Sequence, residues 1–421
     1  MRDRGAARRP VQTAPETPME FRPILSSLRR HKTAAALIVL EVALTCAIVC
    51  NAIFLIGQRV ERMQMPSGVA EHELLRIQAI SARTRGGGRA MIEEDLAALR
   101  AVPGVTHAAA SSQLPFGNSS NNSGVRLNPE QEASTLNATV YSGSEDLVET
   151  LGLRLVAGRD FAPDEYVDAE ALEKDENLGV PAAILNRRTA ERLFPGEDAV
   201  GKVFYSWGEA PIRVVGVVEE LIRPNSFGLG QYSMVFPVRY NQAGVNYLVR
   251  TEPGRRAEVL AAGQEALNRI DPNRVVANAD VFTDLREKFF AQDRAMAWLL
   301  VVVIAALLVV TALGIVGLAS FWVQQRNKQI GIRRALGATR GQILRYFQAE
   351  NFLLAGIGIV LGMLLAYGLN QLLMSRYEIP RLPLSYLPVG AIALWLLGQV
   401  AVFWPARRAA AVPPAVATRS A

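Results

Sequence analysis

The chain has 421 residues, half of them apolar and 20% charged, with a formal net charge of +6, two cysteines and a positive mean hydropathy. The apolar residues are concentrated in four runs, 33–57, 295–323, 353–375 and 387–404, each long enough for the about 17 to 25 residues that a helix needs to cross a hydrocarbon layer, the second exceeding that length. That distribution excludes a simple soluble enzyme, a disordered chain and a small disulfide scaffold.

Residues 1–32 carry eight Lys/Arg against three acids, so this segment is expected to stay cytoplasmic. The first span, 33–57, is expected to remain as an anchor rather than be cleaved, because its preceding region is long and no small-x-small pattern follows it. It contains two polar residues that need partners, Glu41 and Asn51. A carboxylate in hydrocarbon is costly, so Glu41 is read as an interhelical or interfacial contact, with a proton relay as the alternative. Cys46 and Cys50 stand four residues apart on one helix face, a spacing unsuited to a disulfide.

Residues 58–294 carry 26 basic and 33 acidic residues and no cysteine, the pattern of an exported domain stabilised by its own core. Strands are expected at 74–80, 137–142, 180–185, 199–205, 212–219, 233–238 and 246–250. Helices are expected at 91–100, 145–151, 187–194 and 254–270, with a polar loop at 117–124. This mixture predicts an α+β domain of two lobes, the second inserted at roughly 114–243. From 283 to 323 there is no proline, and no glycine before Gly314, which predicts one helix of ~60 Å running as a stalk into the second span, 295–323.

The loop 324–350 holds six basic residues between 324 and 349, with no acid among them, and is expected inside. A third span, 351–375, a short periplasmic loop, 376–386, a fourth span, 387–404, and a basic cytoplasmic tail, 405–421, complete the chain. The fold class is therefore an integral membrane protein with four transmembrane α-helices and a large α+β periplasmic domain.

Three motifs point to no chemistry. The string from Gly196 to Lys202 fits G-x-x-x-x-G-K, but Val203 replaces the hydroxyl residue that would hold Mg²⁺, and the string lies between a helix and a strand on the ATP-free side. His31, His72 and His107 are scattered, which argues against a metal site, and no G-x-S-x-G nucleophile signature is present. The positive charge lacks interleaved aromatics, so nucleic acid is not expected as a partner.

The strongest signal is the cytoplasmic loop: Gln329, Ile330, Gly331, Ile332, Arg333, Arg334, Ala335, Leu336, Gly337, Ala338, Thr339. It reads as a short helix from 329 to 336 with Ile332 and Leu336 on one face, stopped by Gly337. Thr339 then caps the next helix, with Gln342 completing a capping box. Such a basic helix with an apolar face suits an anchor on membrane lipid or a peg for a cytosolic partner.

Gln329 to Arg340, Leu193 to Lys202 with Val214 to Val217, and Pro405 to Ala410 with Pro414 together resemble MacB/FtsX-type permeases of ABC transporters, over nearly the whole chain. The resemblance implies a periplasmic domain of porter-like and inserted lobes that meets cargo or a partner. It also implies a coupling role for Gln329 to Thr339 on a separate cytosolic ATPase. On this basis the chain binds no cofactor, ATP and Mg²⁺ being used by the ATPase, and acts as a permease without its own ATPase domain. A second permease chain, identical or paralogous, and a periplasmic adaptor are further implied partners, and efflux is the implied work. The alternative is a non-transporting regulator that switches a periplasmic cell-wall hydrolase. Gln329 stands where the family usually has Glu, and Val416 where it has an acidic residue.

Overall fold

The computed structural model describes residues 32–80, 88–175, 178–225, 230–241, 245–377 and 381–411. The segment 1–31 and the tail beyond 411, with Pro414 and Val416, lie outside the described residues. The chain forms two compact units, Met1–Val60 with Met296–Ala421, and Glu61–Ala295.

The Glu61–Ala295 unit is built on two sheets. In the first, β1 (Leu74–Ile80), β2 (Val105–Ser111), β12 (Asn246–Thr251) and β13 (Val275–Val281) lie in the order β13-β1-β12-β2, all antiparallel. Helix α2 (Gly88–Arg100) links β1 to β2, and α6 (Arg256–Ile270) links β12 to β13, which is the split βαβ arrangement of a ferredoxin-like layer. Leu75, Ile77 and Val249 on one sheet face bury against Leu96, Leu99, Val259 and Leu267 of these helices. Gly263 lets the helix approach closely there, since a Cβ would stand 3.0 Å from the Ile77 side chain. Buried Asp95 of α2 accepts from Arg274 (2.7 Å) and from Tyr247 (2.5 Å), which ties the helix to the sheet. Burial, with the Asp95 charge beside it, pushes the Tyr247 phenol far above its usual range, so it stays a neutral donor.

The chain between β2 and β12 forms the second sheet. Its strands β3 (Asn122–Val125), β4 (Leu136–Ser142), β5 (Leu155–Gly158), β7 (Ala182–Asn186), β9 (Pro211–Val218) and β10 (Ser233–Phe236) run β3-β4-β10-β7-β9-β5, with β8 (Val203–Tyr205) on β9. A shared core, including Leu74, Ala109 and Leu248 from the first sheet and Tyr141, Ile184 and Val235 from the second, lies between them. The short strands β6 (Val167–Asp168) and β11 (Val238–Arg239) pair beside helix α4 (Ala169–Lys174). Helices α3 (Leu147–Leu151) and α5 (Arg187–Leu193) complete this part.

Three local expectations change. The polar stretch 117–124 is not all loop, because Asn122 to Val125 pair with β4. The strand expected at 199–205 is shortened to β8, since Gly201 adopts φ +85° and turns the chain. The helix expected to run unbroken from 283 is split at Phe290 into α7 (Phe282–Phe289) and α8 (Ala291–Gln325). Phe290 is buried and packs edge-on against Phe116 and Phe289, so ring packing takes this residue out of the helical path.

Among the described residues, the other unit contains four helices long and apolar enough to cross a membrane. They are α1 (Lys32–Gln64), α8, α10 (Arg340–Tyr377) and α11 (Tyr386–Ala410), with the short α9 (Asn327–Ala335) between α8 and α10. Helix α1 is enclosed, 56% of its most apolar stretch being buried, whereas α8 is 11% buried and leaves most of its surface open. The contact of α1 with α10 runs along Gly358, Gly362 and Ala366, a small-residue stripe that lets the two backbones approach. A Cβ at Gly362 would stand 2.6 Å from the Ala43 carbonyl oxygen.

Candidate functional site

The candidate site is the connection from α8 through α9 to α10. Helix α9 spans nine residues and ends at Gly337, whose φ of +99° is the left-handed conformation glycine adopts without strain. Ala338 N–H bonds to the Arg333 carbonyl (3.0 Å) and Gly337 N–H to the Arg334 carbonyl (3.1 Å), a Schellman closure that satisfies carbonyls the last turn leaves open. Thr339 follows as a cap: Gln342 N–H donates to Thr339 Oγ1 (3.3 Å) and Thr339 N–H to Gln342 Oε1 (2.9 Å). Local sequence chemistry thus fixes both the end of α9 and the start of α10.

The predicted residues divide by face. Ile330 and Gly331 are buried against the helical unit. Ile332 is 47% and Leu336 83% exposed, while Lys328, Gln329 and Ala335 also face outward. The two arginines make contacts within their own chain, Arg334 while partly buried and Arg333 while remaining exposed. Arg333 lies over the Tyr346 ring at 5.0 Å, and Arg334 Nη1 donates to the Ala410 carbonyl of α11 at 2.7 Å. An apolar pair with Lys328, Gln329 and Arg333 beside it is the presented surface.

The two polar residues of the first helix meet different neighbours. Both carboxylate oxygens of Glu41 lie over Gly314 of α8, where a Cβ would stand 2.5 Å from them, and one turn further Thr45 and Thr311 share a 2.8 Å hydroxyl hydrogen bond. Asn51 Nδ2 donates to Ala47 O (2.9 Å) and to Ala366 O of α10 (3.4 Å). Both groups thus meet helices of the same chain. Cys46 and Cys50 are free thiols with sulfurs 3.9 Å apart.

Sequence reasoning missed Arg326 and Glu350. Arg326 Nη1 bonds both Glu350 carboxylate oxygens, at 2.8 and 3.2 Å, with side-chain exposures of 10% and 1%. The guanidinium also lies 5.7 Å from the Trp322 ring centre. A signal existed, since Glu350 is the only acidic residue between Asp293 and Glu378. At the G-x-x-x-x-G-K string, Lys202 pairs with Glu197 at 2.5 Å in a turn between α5 and β8.

Comparison with known proteins decides the family. A model of the MacB-like periplasmic core domain matches residues 36–267, more than half of the chain, and a model of the FtsX-like permease C-terminal region matches 301–414. The chain belongs to the MacB/FtsX-type ABC transporter permeases. It is similar to YknZ of Bacillus subtilis (strain 168), described as an uncharacterized ABC transporter permease, with 25% identity over 334 residues, 78% of each chain. It is also 27% identical over 298 residues, 66% of this chain, to the macrolide export ATP-binding/permease protein MacB of Chromobacterium violaceum. This chain covers 43% of that MacB protein, less than half its length. Among solved structures, the extracellular domain of YknZ from Gram-positive bacteria is matched with a TM-score of 0.32 and 20% identity over 48% of this chain and 100% of that domain. As a family member with four apolar helices, the permease is a multi-pass membrane protein with an extracytoplasmic domain, and its family implies an ATPase partner.

Proposed function

We propose that this permease couples ATP hydrolysis by a separate cytosolic ATPase to movement of its periplasmic domain, and that this movement drives efflux or extrusion of a substrate. The carrying observation is α9: a rigid nine-residue helix with defined closures at its C-terminal end, presenting Ile332 and Leu336 to solvent. An exposed apolar pair on a short, braced helix suits a partner's cleft, with the exposed Arg333 beside it as a cationic contact and Arg334 held by the Ala410 carbonyl. Gln329 to Thr339 form this ATPase-coupling segment, with ATP and Mg²⁺ held by the ATPase and no cofactor by the permease.

The basic flanks support a topology with both termini and the α9 loop in the cytoplasm and the 58–294 region outside. Two permease chains, identical or paralogous, make the working unit, and the open surface of α8 supports a second helix packing there. A periplasmic adaptor would meet the exported domain.

The test is affinity purification of the full chain from membranes in mild detergent, followed by mass spectrometry. An ABC ATPase is expected in stoichiometric amount, and Leu336→Asp is expected to remove it. Retention of the ATPase by Leu336→Asp together with Ile332→Asp would show that α9 is not the docking element.

A further inference from the structure

We infer that the buried Arg326–Glu350 pair is the fulcrum that converts displacement of α9 into displacement of the spans; this rests on the coupling role proposed for α9. Arg326 is the single residue between α8 and α9, and its backbone belongs to both helices. Its N–H donates to the Trp322 and Val323 carbonyls (3.1 and 3.2 Å) of the last turn of α8, and its carbonyl accepts from Ile330 N–H (2.9 Å) in α9. No slack exists at this junction, so α9 cannot tilt without turning Arg326.

The side chain carries that turn to a third helix. Glu350 lies ten residues into α10, ~15 Å from its start at the helical rise per residue. Both charges are buried and the carboxylate receives two contacts from one guanidinium nitrogen, with the Trp322 ring beside them. Separating such a pair would break a buried contact between opposite charges in a poorly solvated site, which is strongly unfavourable, so the pair moves as one body. At the other end of α9, Arg334 donates to the Ala410 carbonyl at the end of α11, and Arg334 is only partly buried. The two attachments differ in burial. A push on Ile332 and Leu336 therefore pivots α9 about the buried ion pair and yields at the more exposed carbonyl contact, which directs the motion into α8 and α10. Arg326 and Glu350 act here as positioning residues, not as docking groups.

The experiment uses the full chain in lipid nanodiscs with the ATPase that co-purifies with it. Spin labels at Gln324 and Val389, introduced as cysteines with Cys46 and Cys50 replaced by alanine, report the ATP-driven distance change. Glu350→Gln is expected to keep ATPase capture within about twofold, yet lose the distance change and lower the permease-stimulated hydrolysis by about tenfold. The charge exchange Arg326→Glu with Glu350→Arg is expected to restore part of both, which a merely structural substitution would not. Wild-type capture with an unaltered distance change in Glu350→Gln overturns the fulcrum alone; absence of any captured ATPase overturns the coupling role and the fulcrum with it. Should Glu350→Gln not fold, hydrogen exchange on the wild-type complex decides. Equal protection of residues 327–331 at rest and under vanadate trapping supports a pair that moves intact, and loss of protection there on trapping refutes it.

Discussion

Two glycines on α10, six residues apart, should respond with opposite sign to the same substitution. At Gly362 an added methyl would meet the Cys46 Cβ at 2.5 Å, the Ala43 carbonyl oxygen at 2.6 Å and the Ala43 Cα at 3.2 Å. Two of these are backbone atoms of α1 and cannot rotate away. Restoring an ordinary 3.4 Å contact to that oxygen moves the helices apart by about 0.8 Å, a gap that forfeits about a quarter to a half of each neighbouring dispersion contact. Overpacking of this kind costs about 1–3 kcal/mol, against a gain of up to about 1 kcal/mol from replacing glycine by alanine in a helix. Gly362→Ala is therefore expected to destabilise by up to about 2 kcal/mol. At Gly368 nothing lies within 4 Å of the added methyl, so Gly368→Ala should be neutral or stabilising. The assay is tryptophan-fluorescence unfolding of the full chain in bicelles against increasing sodium dodecyl sulfate. Equal midpoints for the two variants would refute the close approach of α1 and α10.

Four further outcomes are expected. Replacing Arg333 and Arg334 together by Lys should leave ATPase capture unchanged, because Lys keeps the positive charge of the exposed Arg333 and Arg334 is engaged within its own chain; a pull-down that loses the ATPase would place the planar Arg fork in the docking surface. Gly337→Ala should weaken coupling and destabilise by about 1 kcal/mol through the left-handed φ alone, with Gly337→Asn milder, as measured by stimulated hydrolysis and thermal unfolding. The bidentate contact from Arg159 (2.7 and 2.8 Å) holds the Glu165 carboxyl below its usual range, so its contribution is present above the ordinary carboxylate pKa and lost as pH falls through the lowered one. Glu165→Gln should flatten that acid limb of a stability profile by no more than about 1 kcal/mol, Arg159 being half exposed. A single cysteine at Glu209 should react with a membrane-impermeant maleimide in intact spheroplasts and one at Lys328 should not; the reverse pattern would invert the proposed topology.

Much of the exported unit was legible because its central strands carry strong local signals. Leu74 to Ile80 is rich in large aliphatics, and the observed β1 has the expected bounds. The edge strands were not legible. In β2, Val-Thr-His-Ala-Ala-Ala-Ser has three consecutive alanines with little strand preference and no alternation. It is a strand because Ala108, Ala109 and Ala110 pair with Val249, Leu248 and Tyr247, about 140 residues away in sequence. In β13 most residues are at least partly exposed, so burial leaves no pattern to read, and the register against β1 supplies the order instead. Without these two edges the ferredoxin-like arrangement could not be derived from periodicity, although the α+β class could.

In the helical unit, composition located the four apolar helices but not what each polar residue does. The capping box at Thr339 and Gln342 was readable because its partners are three residues apart, within one turn. The pairs Glu41 with Gly314, Thr45 with Thr311, Asn51 with Ala366 and Arg326 with Glu350 join residues on different helices, and no local rule links their positions. Helical periodicity also left the buried face of α9 unassigned. Ile332 and Leu336 share the outward apolar face that their i, i+4 spacing gives, and Ile330 and Gly331 are the buried pair. On nine residues the direction of burial is set by the joints at Arg326 and Arg334, which turn the helix until its apolar pair faces outward. An apolar stripe held toward solvent by charged joints is costly for an isolated chain, and burial of that stripe by a partner offsets the cost.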